Sequence, residues 1–325
     1  MLNYEEFKEE LVKDIISYLP ERFRDHEVSL VSTLKGNSKE LDGIVIKDKD
    51  STIAPSIYIN DFYSDYLGGR SKEEVFAKIA EVRVRSDPKC NVDPMMILDL
   101  DTVKDHIYYS VINYDLNRNY LKERPHRRFL DLAVIYYINI NECGFMDDVS
   151  GRMVVCITED LMESYNITEE DLFKIAGDNS VRSDEAVISS FKEDLIESLV
   201  RDYEDNGTPL DDAIINARRE VEEMQIDMKV LTNRDNCRGA GLMMCKDILK
   251  HISDDIDGDY YILPSSTDEV FIVASEDVSD EEFLVGMVTD ANESIRYTEK
   301  FLSDNVYYYS RRNASVSLVN VPVCM

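Results

Sequence analysis

The sequence predicts an α+β protein with mixed or antiparallel sheets and flanking helices, and two patterns indicate this class. β-like runs at residues 28–34 and 41–47 flank a polar turn at 35–39, which is the pattern of a hairpin. In the C-terminal half, strand-like and helical runs follow the order β-α-β-β-α-β, which is typical of split βαβ units. These runs lie at 227–232, 242–252, 260–263, 270–274, 279–295 and 306–309.

The rest of the chain adds helices and one further strand pair. Phe7, Leu11 and Ile15 recur at helical spacing, and Ser71 with Glu74 has the spacing of a capping box. Helices are also expected at 102–112, after Thr158, after Thr168 and over all of 183–224, and strands at 130–140 and 153–157. In the helix at 279–295, the expected cap is Ser279 and the expected shared face holds Phe283, Met287, Ala291 and Ile295.

The charged helical region 183–224 suggests where the chain divides. We expect an N-terminal α+β half at residues 1–182. A C-terminal half at 183–325 would then hold a charged helical pair followed by a split βαβ-like unit. This helical pair also suits a salt-sensitive scaffold for protein partners.

Acidic residues dominate the composition. The 325 residues include 66 Asp and Glu against 36 Lys and Arg, a formal net charge of −30, and 44% are hydrophobic. The hydrophobic content argues against a disordered chain. The negative charge disfavours general nucleic-acid binding, which needs a basic footprint to displace counterions from phosphates.

Targeting signals and cysteine usage indicate the compartment. The N-terminus has no secretory pattern, and the longest apolar stretch, at 129–140, is far shorter than the ~20 residues of a membrane span. Six cysteines form no Cys-x-x-Cys pair, and four histidines show no ligand spacing. We therefore expect a cytoplasmic protein with no membrane contact, no metal and no cofactor.

A turn at residues 234–241 is the first candidate site. It follows a predicted strand and opens a predicted helix, where backbone N–H groups and the helix dipole attract anions. It lacks the third glycine of a dinucleotide fingerprint and the lysine of a phosphate-binding loop. The turn is therefore either an anion site or a glycine-bearing turn with solvated arginines. The candidate residues are Arg234, Arg238, Gly239 and Gly241.

A basic segment at residues 118–128 is the second candidate. It stands out because Glu123 is its one acidic residue in a chain of net charge −30. The segment suits an acidic partner, a phosphate or an RNA end, or it neutralises carboxylates of the same fold. The candidate partner-binding residues are Arg118, Lys122, Arg124, His126, Arg127 and Arg128.

Motifs of known catalytic sites give no assignment. There is no Gly-x-Ser-x-Gly nucleophile elbow, and the acidic run at 254–259 fails both end positions of a calcium-binding loop. A non-enzymatic binding or regulatory module is therefore the preferred interpretation, with an unknown protein or a small anionic ligand as its partner. The alternative is a nucleotide- or phosphate-binding protein or enzyme that uses the glycine turn at 239–241.

A set of short motifs in a fixed order carries a family resemblance. The motifs are Lys35-Gly36-Asn37, Leu41, Gly43, Pro55, Tyr58, Tyr63, Tyr66, Ile112-Asn113, Asn117, Pro125-His126, Phe129, Asp131-Leu132, Thr158, Leu161, Ala176, Asn179, Leu231-Thr232-Asn233, Gly239-Ala240, Leu263-Pro264-Ser265-Ser266, Glu269-Val270, Leu302-Ser303-Asp304 and Tyr307. With them the chain resembles, over nearly its whole length, domain-of-unknown-function family 5688 of anaerobic Gram-positive gut bacteria. The second half is faintly similar to the YtpQ-like family.

The resemblance implies a bacterial protein but no activity. The motif positions that it offers as site candidates are Lys35, Asn37, Asn113, Asn117, Asn233, Ser265, Ser266 and Glu269. The family usually has His immediately before the residue matched by Glu269, whereas this chain has Asp268. Imidazole chemistry is therefore not expected at this position.

Overall fold

The computed structural model describes residues 1–49, 54–86, 94–140, 154–182, 186–222 and 226–319. The chain forms two compact units. One comprises Met1–His106 with Ile138–Val155, and the other comprises Ile107–Tyr137 with Cys156–Met325. The division expected after residue 182 stays a prediction.

The described helices are mostly short. They are α1 (Tyr4–Asp14), α2 (Asn60–Leu67), α3 (Lys72–Arg85), α4 (Pro94–Ile97), α5 (Leu100–Val103), α6 (Glu159–Ser164), α7 (Glu169–Arg182), α8 (Phe191–Asp205), α9 (Leu210–Glu222), α10 (Lys246–Ile256) and α11 (Glu281–Asn292). None of the helices in the described ranges has the length and apolar character needed to cross a bilayer.

The strands form three sheets. They are β1 (Glu27–Leu34), β2 (Glu40–Lys47), β3 (Ser56–Tyr58), β4 (Ile107–Asn113), β5 (Arg127–Phe129), β6 (Leu132–Asn139), β7 (Val154–Cys156), β8 (Ala186–Ser190), β9 (Lys229–Asn233), β10 (Tyr260–Pro264), β11 (Val270–Ala274), β12 (Tyr307–Ser310) and β13 (Ser315–Leu318). One sheet has the order β1-β2-β3, a second has β4-β6-β5 with β7 also paired to β6, and the third has β13-β12-β10-β11-β9-β8.

The first unit contains the predicted hairpin and its helical cover. Strands β1 and β2 pair antiparallel, with Val28 opposite Ile46, and the hairpin is confirmed. Helix α3 begins with the predicted capping box, in which the Glu74 N–H donates to Ser71 Oγ at 3.2 Å. Buried side chains of α1, β2 and α3, including Phe7, form the core between these elements.

The second unit is organised by the six-stranded sheet. Every pairing between neighbouring strands of this sheet is antiparallel. Strands β9 and β10 flank β11 and are joined through α10, so they run parallel to each other on either side of it. The protein is thus an α+β protein with antiparallel sheets, as the sequence predicts.

Parts of two predicted helices are strands in the structure, one because it is buried and the other because it pairs with a distant strand. Residues 107–113 form β4, which is buried almost throughout and therefore shows no alternation that would identify a strand. Residues 186–190 form β8 because they pair with β9 across a long sequence separation, and Ser190 then caps α8. The helical prediction over 183–224 holds only for α8 and α9 in the described part of that region.

The predicted buried face of α11 is shifted by one residue. Leu284, Val288 and Asn292 are buried, while Phe283 is 55% exposed. The cap is Asp280, whose carboxylate accepts the Glu282 N–H at 2.9 Å, instead of Ser279. Neighbouring residues lie about 100° apart around a helix axis, so the observed buried stripe is turned by about 100° from the predicted one.

Candidate functional site

A groove of about 630 Å³ lies within the second unit, beside strand β8. We call it the acidic groove. It is lined by Ser180, Val181, Ala186, Ile188, Ser189, Ser190, Asp227, Met228, Lys229, Asp247, Ile248, His251 and Asp255. These residues come from the end of α7, from β8, from the start of β9 and from α10.

The floor of the acidic groove is one face of the sheet. Ala186, Ile188 and Ser190 alternate along β8, so their side chains share a face. Ser190 lies opposite Lys229 and Ile188 opposite Leu231, which places the start of β9 on the same floor. This floor is apolar at Ile188 and polar at Ser190, where β8 leads into α8.

The walls of the acidic groove carry most of its charge. Asp227, Asp247 and Asp255 are exposed, and among the described lining residues Lys229 is the single Lys or Arg. Asp247, His251 and Asp255 recur every four residues along α10 and therefore lie on one side of the helix. His251 Nε2 is 3.7 Å from Asp255 Oδ2. The groove therefore attracts positive charge.

Two of the serine hydroxyls that line the acidic groove donate to acceptors within the protein. Ser180 Oγ donates to the Ala176 carbonyl at 2.8 Å, and Ser189 Oγ donates to Asp194 Oδ2 at 2.5 Å. Within the described ranges, nowhere do three or more His, Cys, Asp or Glu side chains meet as a metal-binding group.

The glycine turn predicted as an anion site is filled by groups of the protein itself. The Arg238 N–H donates to Asp268 Oδ1 at 2.9 Å, and the Cys237 N–H donates to Asn233 Oδ1 at 3.0 Å. A Cβ on Gly239 would lie 2.6 Å from the Asn233 nitrogen, so this glycine allows close packing. Asp268 thus places a carboxylate where an anion was expected to bind.

Gly241, Arg234 and Arg238 complete this turn and differ in their surroundings. Gly241 is equally constrained, because a Cβ would lie 2.6 Å from the Tyr109 carbonyl oxygen. Arg234 is exposed, and the Arg238 guanidinium lies 5.4 Å from the centre of the Tyr137 ring. Burial opposes the charged form of Arg238, but the nearby ionisable groups, Cys156 first among them, hold its pKa above the usual value.

The basic segment makes internal contacts at most of its positions. Arg118 Nη2 lies 2.7 Å from Asp115 Oδ1, and the Arg124 guanidinium lies 3.7 Å from the centre of the Tyr120 ring. His126 Nδ1 is 2.8 Å from the Arg124 carbonyl oxygen. Lys122 is exposed.

Arg127 carries the strongest of the internal contacts. Its Nε and Nη2 donate to the two carboxylate oxygens of Glu169, each at 2.8 Å, and Nη2 also donates to Glu170 at 2.7 Å. Burial raises the pKa of Glu169, but Arg127 and the hydroxyl of Tyr136 outweigh this and hold it below the usual value. Arg128 instead donates to the Leu130 carbonyl at 2.9 Å.

The family-motif positions of the first unit hold a turn and a strand. Asn37 has φ of 58° in the turn between β1 and β2, a left-handed conformation that Asn tolerates better than most residues. The Lys35 ammonium lies 4.7 Å from the centre of the Tyr58 ring. Both residues stabilise local geometry.

Asparagine side chains of the second unit hold loops together. Asn113 Nδ2 donates to the Leu302 carbonyl at 3.0 Å, and Asn117 Nδ2 donates to the Asn113 carbonyl at 2.7 Å. Asn233 closes the glycine turn from both sides, because it accepts from Cys237 N and donates to Cys237 O. These three positions act on backbone groups.

The remaining motif positions shape the β10–β11 connection. Ser265 Oγ donates to Glu269 Oε1 at 3.1 Å, and the Asp268 N–H donates to Ser266 Oγ at 3.0 Å. None of the eight motif positions lines the acidic groove. Those in the second unit hold its turns and loops, whereas Lys35 and Asn37 belong to the first unit.

The acidic groove and one polar cluster were not predicted from the sequence. Asp131 accepts from Ser303 Oγ at 2.6 Å, from Asn305 Nδ2 at 2.9 Å and from Tyr307 Oη at 2.8 Å. Three members of this cluster belong to the family motifs, which is a signal that could have grouped them. The groove gives no such signal, because its residues come from four separate elements.

Fold and groove together define an α+β protein with a ligand-sized, negatively charged cleft in one unit. A family model described as "Family of unknown function (DUF5688)" matches residues 4–311. The chain therefore belongs to this family, and the resemblance inferred from its motifs is confirmed. No curated protein and no solved structure matches the chain.

Proposed function

We propose that this protein is a non-enzymatic binding or regulatory module whose ligand occupies the acidic groove. The volume of the groove, about 630 Å³, supports this proposal, since ligand pockets typically enclose about 300–1,000 Å³. The described part of its rim holds three aspartates and one lysine. A small anion does not suit that charge, so the ligand presents a positive group.

Solvent exposure of the charged groups favours binding over catalysis. Asp227, Asp247 and Asp255 are exposed, and the His251 side chain is 68% exposed. Catalytic acids and bases are usually tuned by burial and by close charged neighbours. Solvated carboxylates instead attract cations at long range and fix the orientation of a partner.

The proposed module acts in the cytoplasm of a bacterial cell. Cys156 and Cys245 are thiols that form no disulfide, which fits a reducing compartment. The chain's net charge of −30 keeps it soluble and repels polyanions, in accord with the expected lack of general nucleic-acid binding.

Calorimetric titration with trilysine and spermine tests the proposed function. Asp247→Asn with Asp255→Asn should weaken binding of both probes by about tenfold at low salt, since two nearby charges are lost. The control pair is Asp202→Asn with Asp205→Asn on α8, which makes the same change in net charge at exposed positions. Equal binding by both double variants would contradict a specific groove site.

Arg238 supports a second candidate function, the phosphate or nucleotide site expected at the glycine turn. Within the described ranges no carboxylate pairs with its guanidinium, which lies against Tyr137 beside a small cavity also lined by Ser180 and Asn233. Thermal-shift titration with inorganic phosphate and ATP tests this site. Stabilisation that is lost in Arg238→Ala but kept in Arg234→Ala would support it, and no shift with either anion would remove it.

A further inference from the structure

Strand β8 is an edge of the six-stranded sheet, with no further described strand beyond it. The Phe191 N–H donates to the Met228 carbonyl at 2.9 Å, in register with the β8–β9 pairing. Because hydrogen-bonded pairs alternate in an antiparallel ladder, the backbone groups of Val187 and Ser189 face β9. Those of Ala186 and Ile188 therefore face away from it, toward the open edge.

The open edge and the acidic groove involve the same residues. Ala186 and Ile188 line the groove with their side chains and present their N–H and C=O groups at the edge. Among the described residues, neither backbone has a hydrogen-bond partner on that side. A chain that pairs with β8 would thus lie along the groove, with alternate side chains directed toward α10.

We propose that the occupant of the acidic groove is an extended segment of a partner protein that carries Lys or Arg and adds a strand to β8. This inference rests on the proposed function and identifies its ligand. Strand addition gives hydrogen-bond partners to backbone N–H and C=O groups that are otherwise hydrated at a sheet edge. Side-chain pockets beside the edge supply specificity. The carboxylates of the groove supply that specificity for positive charge.

The spacing of charges on α10 suits such a segment. Asp247, His251 and Asp255 recur at about 6 Å along the helix, from four residues at 1.5 Å each. Side chains on one face of a strand recur at about 6.7 Å. Asp247 and Asp255 therefore match two basic residues four positions apart on the added strand, with a smaller residue between them near His251.

Charge argues against the protein's own remaining segments as the occupant. Residues 50–53, 87–93, 141–153, 183–185 and 223–225 each carry a net negative charge, and 320–325 carry none. None would be drawn to a rim of three aspartates. A basic segment from another protein complements the groove, whereas these segments do not.

The experiment uses the full chain and the pentapeptide acetyl-Lys-Thr-Val-Thr-Lys-amide, titrated by calorimetry and by amide nuclear magnetic resonance. Two analogues carry N-methyl groups on either the odd or the even residues, because only one set of peptide amides can face β8. We expect the parent pentapeptide to bind, one analogue to bind at least tenfold more weakly, and the other analogue to bind as well as the parent. Amide shifts should map to β8 and α10.

Two single proline variants, one at each edge of the sheet, provide a test variant and its matched control. Ile188→Pro removes an outward N–H on β8, and Val316→Pro removes one on β13 at the opposite edge. We expect Ile188→Pro to weaken the pentapeptide at least tenfold and Val316→Pro to leave it unchanged. If either proline variant fails to fold, the two methylated peptides still decide the question.

The outcomes separate this inference from the proposed function. If spermine displaces the pentapeptide and both methylated analogues bind as well as the parent, the groove holds cations without strand addition, and the inference is overturned. If neither the pentapeptide nor spermine binds, the proposed function fails as well. Loss of binding with one analogue and with Ile188→Pro supports strand addition.

Discussion

Substitution of Arg127 distinguishes between the two roles proposed for the basic segment at 118–128. If the segment neutralises carboxylates of its own fold, Arg127→Gln should destabilise the protein. If it is a free partner surface, the same change should leave the stability of the fold unaltered. Arg127 and Glu169 are bound through both carboxylate oxygens, and the Arg127 guanidinium also lies 3.8 Å from the centre of the Phe173 ring.

The expected loss of stability follows from the partial burial of the Arg127–Glu169 ion pair. The side chains of Arg127 and Glu169 are 27% and 26% exposed. Breaking a fully buried pair costs about 3–5 kcal/mol, while an exposed pair contributes about 0–1 kcal/mol. We therefore expect Arg127→Gln to lower the free energy of unfolding by about 2 kcal/mol, much of it from leaving the Glu169 carboxylate without its cation.

The pH dependence supplies a second test of the same pair. The folded-state pKa of Glu169 lies below its usual value, so its contribution is fully present above the unfolded-state pKa near 4.5. That contribution is lost as the pH falls through the folded-state pKa. The stability difference between wild type and Arg127→Gln should therefore be constant from about pH 7 to about pH 5.5 and shrink in more acidic solution.

Urea unfolding followed by circular dichroism measures both effects. The control is Arg118→Gln, because Arg118 pairs with Asp115 in an exposed contact, with side chains 70% and 64% exposed. This variant should unfold at the wild-type urea concentration. If Arg127→Gln does so too, the internal-neutralisation argument is refuted and the segment becomes a candidate partner surface again.

Two further predictions concern packing in the second unit. Gly239→Ala should cost about 3 kcal/mol, since a Cβ would lie 2.6 Å from three atoms, whereas Gly258→Ala has nothing within 4 Å and should be nearly neutral in urea unfolding. Leu284→Ala should cost about 3 kcal/mol in the same assay, because Leu284 is fully buried. Phe283→Ala should cost less than about 1 kcal/mol, and the reverse order would contradict the observed face of α11.

Elements with a local signal were predictable. The capping box at Ser71 and Glu74 is defined by two side chains three residues apart, so sequence alone indicates the start of α3. The β1–β2 hairpin is similarly local, because a short polar turn joins the two strands. Such features depend on neighbours in the chain and need no knowledge of the tertiary fold.

Elements defined by distant partners were not predictable. Residues 186–190 precede a helix, and the sequence pattern predicts that they belong to it. They instead form a strand by pairing with residues 229–233. The acidic groove depends on the same pairing, since β8 provides its floor and α10 its wall. The site could not be assembled from sequence while β8 was assigned to a helix.

The sequence by itself determined the fold class, the family and the strong negative charge, because composition and short-range motifs encode all three. Tertiary structure alone decided where that charge is concentrated. It brings Asp227, Asp247 and Asp255 to one rim and fills the glycine turn with Asp268. The physical reason is that a binding surface depends on distances between atoms far apart in the chain, and packing and strand pairing set those distances.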